Sequence, residues 1–301
     1  MRNFGKQRIE LLDVVSKMRS IVLFVDMTID ATDQWQKPLT ADRLFTWHSG
    51  LFPSGRNSKG PILVGQWRDD SMGPMRIVSG PIGKEKVHFQ APDAPRLPQE
   101  MNQFLKWFES SSEKNGVIKA GLAHLWFVTI HPFDDGNGRI GRSILDLALA
   151  RDDRRAWRCY SVSSQIATEK KKYYDALEHA QSGSLDVTEW LCWFTECLAR
   201  ALTHASDSVS GALQRSRFWK DHSNGDINER QRVVLSRMLL GFKGKMTNKK
   251  WVKMAKCSNA TAIRDLAYLV ELGIFARADG AGRNSAYQLI LDPELTKSRS
   301  R

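Results

Sequence analysis

A dense group of chemically active side chains occurs at residues 131–142, which read HPFDDGNGRIGR. The stretch begins with His131, ends with Arg142 and contains Asp135 and Arg139 between them. A histidine titrates near neutral pH and can accept a proton, a carboxylate binds Mg²⁺, and guanidinium groups bind phosphates. This order of residue types therefore favours phosphoryl or nucleotidyl transfer from a nucleoside triphosphate, with His131 as the general base.

The neighbouring segments explain how these groups would meet. Residues 116–130 are apolar on nearly all sides, which predicts a buried central helix that Pro132 ends. His131 is then expected at the floor of a cleft. A new helix is expected from about Arg139, so that its free N–H groups and its dipole form a cradle for an anion. Arg142, three residues later, shares a face with Arg139.

The first two thirds of the chain predict a mostly α-helical unit. Helical spacing of apolar residues occurs at 8–32, 38–52 with Thr40 as the N-cap, 97–111, 168–183 and 186–205. Residues 75–92 instead contain two short β-rich runs around Gly80 and Gly83. These runs predict one small β-hairpin in the otherwise helical unit.

The pattern changes after about residue 210. Successive segments at 227–242, 245–256, 258–273 and 274–290 read as helix, short helix, helix and two strands around a Gly-rich turn. This layout predicts a first domain over 1–210 and a winged-helix domain over 211–301. The whole chain has a net charge of +12, and residues 215–301 contain 18 Lys and Arg against eight Asp and Glu. An anionic partner is expected, and for this domain both DNA and a protein stay open.

Other classes of protein are disfavoured by the sequence. The 301 residues contain no run of 18 apolar side chains and the N-terminal region lacks a signal-peptide core, so no membrane association is expected. The four cysteines form no CxxC pair, and we expect them to be buried rather than to bind metal or form disulfides. A reducing cytoplasm fits this usage, and a homodimer stays open.

The stretch HPFDDGNGRIGR resembles the signature of the Fic (filamentation induced by cAMP) domain family, HPFx(D/E)GNGRxxR, at every defined position. The similarity extends through residues 61–70 and the hairpin at 75–92 to residues 170–194, and covers roughly 1–205. It implies a Fic-type helical domain in which the hairpin is a flap. It also implies protein adenylylation: transfer of AMP from ATP to a Ser, Thr or Tyr hydroxyl of a target protein, with self-modification expected.

The resemblance assigns roles to the motif by position. His131 would deprotonate the target hydroxyl, and Asp135 would bind a Mg²⁺ that bridges the α- and β-phosphates. Arg139 and Arg142 would hold the β- and γ-phosphates. The anion hole would be formed by Gly136, Asn137 and Gly138.

The resemblance also implies contacts outside the motif. The flap would pin the target segment as an added strand and close over the nucleotide, through Val78, Ser79, Gly80 and Pro81. Tyr173 and Gln181 match positions that line the nucleoside pocket. Eight residues apart on one helix, they share a face, and an aromatic ring can contact adenine. Core packing is an equal alternative for Tyr173.

Two further functions stay open. The motif contacts phosphates and not the base, so the same fold suits UTP or another phosphate-containing donor. A DNA-binding regulator whose Fic domain only senses nucleotide is disfavoured, because a sensor need not keep both His131 and Asp135. The inhibitory (S/T)xxxE(G/N) motif does not occur in the sequence. We therefore expect constitutive activity, unless an inhibitory helix lies upstream of Met1 or acts in trans.

Overall fold

The computed structural model describes residues 25–71, 73–81, 84, 86–110, 115–222, 227–242, 244–278 and 286–290. The chain divides into two compact units, Met1–Ala205 and Ser206–Arg301, where the sequence predicted a boundary at about residue 210. Within the described ranges, no helix is long and apolar enough to cross a lipid bilayer.

The first unit is mainly helical, as predicted, and its described strands form one two-stranded antiparallel sheet. Its elements are α1 (25–33), α2 (Ala41–Leu51), β1 (Arg76–Ser79), β2 (Lys86–Gln90), a 3-10 turn (Ala94–Arg96), α3 (Leu97–Glu109), α4 (Gly116–Ile130), α5 (Asn137–Asp153), α6 (Val162–Thr168), α7 (Lys170–Ser182) and α8 (Thr188–Asp221). Helix α8 crosses the boundary between the units. The helix expected over residues 8–32 lies within the described residues only from residue 25.

Helix α4 is the central helix of this unit. Its N-cap is Asn115, whose side chain accepts a hydrogen bond from the Ile118 N–H at 3.0 Å. Residues on several sides of the helix are buried, including Phe127, which confirms the prediction from its apolar sequence. It packs most extensively on α5. The helix ends at Ile130, so the motif histidine directly follows a rigid, buried element.

Helix α5 begins at Asn137, two residues before the expected start at Arg139. The Asn137 side chain causes the difference, because it accepts from the Phe133 N–H at 3.0 Å and donates to the Phe133 carbonyl at 2.7 Å. These two bonds close the turn early. Gly136 precedes it with a left-handed φ of 87°, where a Cβ would lie 3.0 Å from the Phe52 ring. Both facts favour glycine at this position.

The hairpin predicted at residues 75–92 is confirmed, and the name flap is kept for it below. Strands β1 and β2 pair from Arg76 opposite Gln90 to Ser79 opposite Lys86, with an irregularity between Ile77 and Val78. Such a bulge increases the local twist of a hairpin. Residues 82, 83 and 85 at its tip, which include the predicted turn residue Gly83, lie outside the described part of the chain.

The second unit has its own core. Its elements after α8 are α9 (Glu229–Leu239), β3 (Met246–Thr247), α10 (Asn248–Ala255), α11 (Asn259–Glu271), β4 (Phe275–Ala278) and β5 (Ala286–Leu289). The strands form an antiparallel sheet in the order β3–β5–β4. The order of helices and of the last two strands is as predicted, whereas β3 was not predicted. The turn expected between β4 and β5, with Arg283, lies outside the described residues.

A buried carboxylate joins the helices of the second unit. Asp265 of α11 accepts two hydrogen bonds from Arg230, both at 2.8 Å, and one each from Gln231 and Trp251 at 3.1 Å. A buried charge is tolerated when it is paired and hydrogen-bonded in this way. This cluster fixes α11 relative to α9 and α10.

The four cysteines are free thiols. Cys197 is buried, but Cys159 and Cys192 are exposed, so the expected burial is wrong for these two. Cys192 and Cys197 are five residues apart on α8, a spacing that turns them to different faces of a helix. Cys159 lies in the segment after α5, outside the helical core.

Candidate active site

A cavity of about 580 Å³ lies between the end of α4, the start of α5, helix α7 and the flap. Seven of the residues predicted for the site line it: Val78, Ser79, His131, Gly138, Arg142, Tyr173 and Gln181. The other predicted residues do not line it: Gly80, Pro81, Asp135, Gly136, Asn137 and Arg139. The fold thus brings both ends of the motif, the flap and α7 together around one space.

The backbone holds His131 in an unusual conformation. Its φ of 53° is left-handed, and its N–H donates to the Phe127 carbonyl at 3.1 Å. Its ring Nδ1 lies 3.2 Å from the Val128 carbonyl. Because a carbonyl can only accept, this contact assigns the proton to Nδ1 and leaves the lone pair on Nε2. His131 therefore has the tautomer that a proton acceptor needs.

Arg68 braces the backbone of His131 and Pro132. Its side chain is almost fully buried, and its Nε donates to the His131 carbonyl at 2.9 Å. Its own N–H donates to the Pro132 carbonyl at 2.9 Å, and Asp70 pairs with its guanidinium at 2.7 Å. Sequence reasoning missed Arg68. It lies in a segment whose composition indicates a surface loop, so no local signal reveals its burial.

Burial sets the basicity of His131. It lowers the pKa of His131 from 6.5 to about 4, and the Arg68 charge adds to this effect. The Val128 carbonyl and Asp135 oppose it. The near-neutral pKa predicted from the sequence is therefore too high for the protein without a ligand. The imidazole is neutral at pH 7, and a bound anion would raise its pKa toward neutrality.

The first turn of α5 offers the predicted anion cradle. Among the described residues, no acceptor faces the N–H groups of Asn137 and Gly138, whereas those of Arg139 and Ile140 donate to the Gly136 carbonyl at 3.0 Å. Free N–H groups at the start of a 17-residue helix attract an anion. The Asn137 side chain closes the preceding turn through its two bonds to Phe133 and is therefore not available to a ligand.

The two motif arginines have different surroundings. The Arg139 guanidinium lies 3.5 Å from Asp135 and 4.8 Å from the centre of the Phe52 ring. Burial is the main cause that lowers the pKa of Arg139. Arg142 lines the cavity, and within the described ranges it forms no ion pair. Arg142 is thus the guanidinium that a ligand in the cavity meets without first breaking a protein contact.

Asp135 lies beside the cradle. Its Oδ2 accepts from the Asn57 side chain at 3.0 Å, and its Oδ1 accepts from the Gly136 N–H at 2.6 Å. The side chain is 40% exposed, and each oxygen keeps a second lone pair. In the described part of the chain, no group of three or more His, Cys, Asp or Glu is placed to hold a metal ion. A Mg²⁺ that arrives with substrate phosphates typically needs one or two carboxylates, and Asp135 has a partly exposed carboxylate beside the cradle.

A second buried histidine supports the loop of the motif. His48 of α2 accepts from the Gly65 N–H at 3.2 Å, and its Nε2 donates to the Asp135 carbonyl at 3.1 Å. Its ring stacks on Phe133 with 4.2 Å between centroids. Burial lowers the pKa of His48 to about 4. Sequence reasoning missed His48 and Asn57, which lie 87 and 78 residues before Asp135.

The two residues predicted for the nucleoside pocket lie on α7. Tyr173 is 4% exposed, and its hydroxyl is 2.9 Å from His124 Nε2. Gln181 donates to the Thr129 hydroxyl at 3.1 Å. Tyr173 is therefore both a core residue and a wall of the cavity, so the two alternatives for it do not exclude each other.

Comparison with known proteins agrees with this geometry. Residues 38–149 match the model of the Fic/DOC family. A uridine 5'-monophosphate transferase of Xanthomonas campestris pv. campestris (strain 8004) is 34% identical over 122 residues, which are 38% of this chain and 21% of that protein. A protein adenylyltransferase Fic of Aedes aegypti is 33% identical over 104 residues, 34% of this chain and 19% of that protein. The chain thus spans about a fifth of these relatives.

A solved structure shares the fold. It is a Fic domain containing signaling protein from Bacteroides thetaiotaomicron VPI-5482, with a TM-score of 0.50 and 22% identity. The similarity covers 65% of this chain and 72% of that one, and it concerns the fold alone. Residues 38–149, which contain the complete motif and the hairpin, are thus similar to the Fic/DOC family.

Proposed function

We propose that this chain transfers a nucleoside monophosphate, with AMP from ATP as the first choice, to a hydroxyl side chain of a target protein. The observation that carries the proposal is the shared cavity of His131, Gly138 and Arg142. It combines a neutral imidazole with a free Nε2, a helix N-terminus and an uncommitted guanidinium. The names of the relatives, one an adenylyltransferase and one a uridine monophosphate transferase, support the same class of reaction.

The proposed step needs three kinds of group. The target hydroxyl attacks the α-phosphorus while its proton passes to His131 Nε2, and the bond from the α-phosphorus to pyrophosphate breaks. The N–H groups of Asn137 and Gly138 stabilise the developing negative charge. Arg142 and, after release from Asp135, Arg139 hold the distal phosphates. Asp135 would bind Mg²⁺, which supplies charge neutralisation of the phosphates when bound.

Labelled nucleotides test this proposal directly. The full chain is incubated with lysate proteins and ATP, UTP, GTP or CTP, each labelled either at the α- or at the γ-phosphate. Adenylylation is supported if α-labelled ATP, and no other nucleotide, leaves covalent label on protein. Label from α-labelled UTP instead supports the uridylyl alternative, and label from a γ-phosphate indicates phosphoryl transfer. Nucleotide binding without any covalent label would favour the sensor alternative.

Arg142 provides a test of phosphate recognition. Arg142→Ala is expected to weaken ATP binding by about 1.5–3 kcal/mol, because it removes a charge-assisted hydrogen-bond donor. ADP should lose less, since it lacks the γ-phosphate. Isothermal titration of both nucleotides measures the difference.

The matched control for this test is Arg155→Ala, which removes an exposed arginine just after α5. It should bind both nucleotides like the unaltered chain. Equal losses of ATP and ADP binding in Arg142→Ala would place this guanidinium away from the distal phosphates.

For the second unit we propose a winged-helix module that contacts DNA. The sheet order β3–β5–β4 and the helix pair α10 and α11 support this proposal. Five lysines on or beside α10 are exposed: Lys245, Lys249, Lys250, Lys253 and Lys256. Binding through the phosphate backbone would use this charge. A protein partner for this unit, a homodimer and the cytoplasmic location stay predictions.

The salt dependence of binding tests the DNA proposal. The plot of log K against log salt has a negative slope. The double variant Lys249→Gln with Lys253→Gln should make this slope shallower by about 0.9 for each phosphate that it no longer neutralises. Fluorescence anisotropy with a labelled duplex measures this slope. Lys171→Gln with Lys172→Gln removes the same charge from α7 and should not change it. A slope that neither pair changes would contradict DNA contact through α10.

A further inference from the structure

We propose that residues 52–57, which we call the spacer segment, keep the opposite charges of Asp135 and Arg139 apart. Asn57 is the positioning residue in this arrangement. The inference rests on the proposed function, in which Arg139 helps to hold the phosphates. It follows from the contacts that the spacer segment makes with each of the two charged side chains.

The ion pair of Asp135 and Arg139 is loose. Arg139 Nη2 lies 3.5 Å from Asp135 Oδ1, and the two side chains are 29% and 40% exposed. In a fully formed pair of a guanidinium and a carboxylate, the N–O distances are about 2.7–2.9 Å, and two such contacts are often made together. Another contact must therefore hold at least one of the two side chains.

Asn57 holds the carboxylate. Its Nδ2 donates to Asp135 Oδ2 at 3.0 Å, while the Gly136 N–H donates to Asp135 Oδ1 at 2.6 Å. Each oxygen thus has a donor other than Arg139. The carboxylate cannot turn both oxygens toward the guanidinium without losing the bond to Asn57.

The orientation of the Asn57 amide is fixed by its own turn. Its Oδ1 accepts from the Lys59 N–H at 2.8 Å and from the Gly60 N–H at 3.0 Å. Because the amide oxygen accepts and the NH₂ group donates, Nδ2 is the end that faces Asp135. The Asn57 N–H donates to the Gly60 carbonyl at 2.9 Å, which closes the turn. The donor to Asp135 is therefore held in place before any ligand arrives.

The other end of the spacer segment supports the arginine. The Phe52 ring is 6% exposed, and its centre lies 4.8 Å from the Arg139 guanidinium. A cation over an aromatic face is attracted to it without a counter-charge. One short segment thus contacts both charges of the motif, the cation through a ring and the carboxylate through an amide.

A simple attachment of this loop to the motif does not need Asn57. The Leu63 N–H already donates to Asp134 Oδ2 at 2.8 Å and joins the two segments. The bond from Asn57 differs in its acceptor, because Asp135 is the carboxylate next to Arg139. Without this bond the carboxylate could rotate and pair with Arg139 through both oxygens. An incoming phosphate would then have to break that pair before it could bind the guanidinium.

Nucleotide binding without a metal tests the role of Asn57. The full chain is titrated with ATP in EDTA, and calorimetry gives the affinity. Asn57→Ser keeps an acceptor for the N–H groups of the turn but has no N–H to donate to Asp135. It should weaken ATP binding roughly three- to tenfold, the range expected for a pair that must be broken first. Asn102→Ser, which alters an exposed asparagine of α3, is the matched control and should bind like the unaltered chain.

A second background separates charge spacing from loop structure. Asp135→Asn removes the carboxylate that could pair with Arg139, so Asn57→Ser in this background should change ATP affinity by less than about twofold. A loss as large as in the unaltered background would show that Asn57 acts through the shape of the loop. That result would overturn the proposal, as would unaltered ATP affinity in Asn57→Ser alone.

The same measurements separate this inference from the proposed function. ATP binding that follows the expected pattern, without covalent label on any protein, leaves the spacing of the charges standing and contradicts nucleotidyl transfer. Covalent label together with equal ATP affinity in all four chains contradicts the spacing alone. Absence of nucleotide binding by the unaltered chain contradicts both.

Discussion

Replacing His131 with alanine is expected to lower nucleotidyl transfer to other proteins by about 10²–10⁴-fold, the usual contribution of a general base. The structure gives the reason, because its Nδ1 contacts the Val128 carbonyl and its Nε2 is free to accept the proton. ATP affinity should hardly change, since the anion cradle and Arg142 remain. Labelled lysate proteins give the rate, and calorimetry gives the affinity.

His179→Ala is the control for this variant. His179 lies on α7 with its side chain 73% exposed, so its loss removes an imidazole without touching the motif. The rate should stay that of the unaltered chain. Transfer at the unaltered rate in His131→Ala would show that another group accepts the proton. Loss of ATP binding together with the rate would instead give His131 a role in binding.

The second large effect is expected in stability as the pH falls. Burial lowers the pKa of His48 and of His124 from 6.5 to about 4. Above pH 6.5 both are neutral in the folded and unfolded chain. Between pH 6.5 and 4 the unfolded chain binds protons that the folded chain does not. The free energy of unfolding should therefore decrease by about 1.4 kcal/mol per pH unit for each of them.

Variants separate this effect from other titrations. Burial also lowers the pKa of His131 to about 4, so this ring acts in the same direction as His48 and His124. Burial raises the pKa of Asp146 to about 6, so this carboxylate acts in the opposite direction between about pH 4 and 6. The difference in slope between the unaltered chain and His124→Gln isolates His124. Urea unfolding, followed by hydrogen exchange in peptides of α4 and α5, reports on the first unit. An identical slope in His124→Gln would show that this ring does not titrate as its burial indicates.

The local elements were predictable because each depends on neighbours in the sequence. The apolar residues of 116–130, Thr40 as an N-cap and the β-rich runs at 75–92 predicted α4, α2 and the flap nearly as observed. The order His, Asp, Gly-Asn-Gly and two arginines between His131 and Arg142 indicated the chemistry. These residues lie in one short segment. Local backbone geometry therefore fixes the directions of their side chains relative to one another.

Two properties of the motif, the first residue of α5 and the pKa of His131, could not be predicted from local sequence preference. The start of α5 at Asn137 follows from the two bonds of its side chain to Phe133. Helix propensity contains no such information, and boundaries are the least predictable feature of an element. The pKa of His131 is likewise set by what buries it, and burial is a property of the assembled unit.

The supports of the site depend on long-range packing. Arg68 reaches the His131 carbonyl from 63 residues away, and Glu178 reaches β2 from about 90 residues away. Side chains so distant in the chain meet only when packed elements hold them, and each alone has the appearance of an ordinary charged residue. The order of amino acids was enough to predict the reacting groups and the helices that carry them. The packing of α2, α7 and the hairpin was needed to show which groups brace them and which nitrogen of His131 carries the proton.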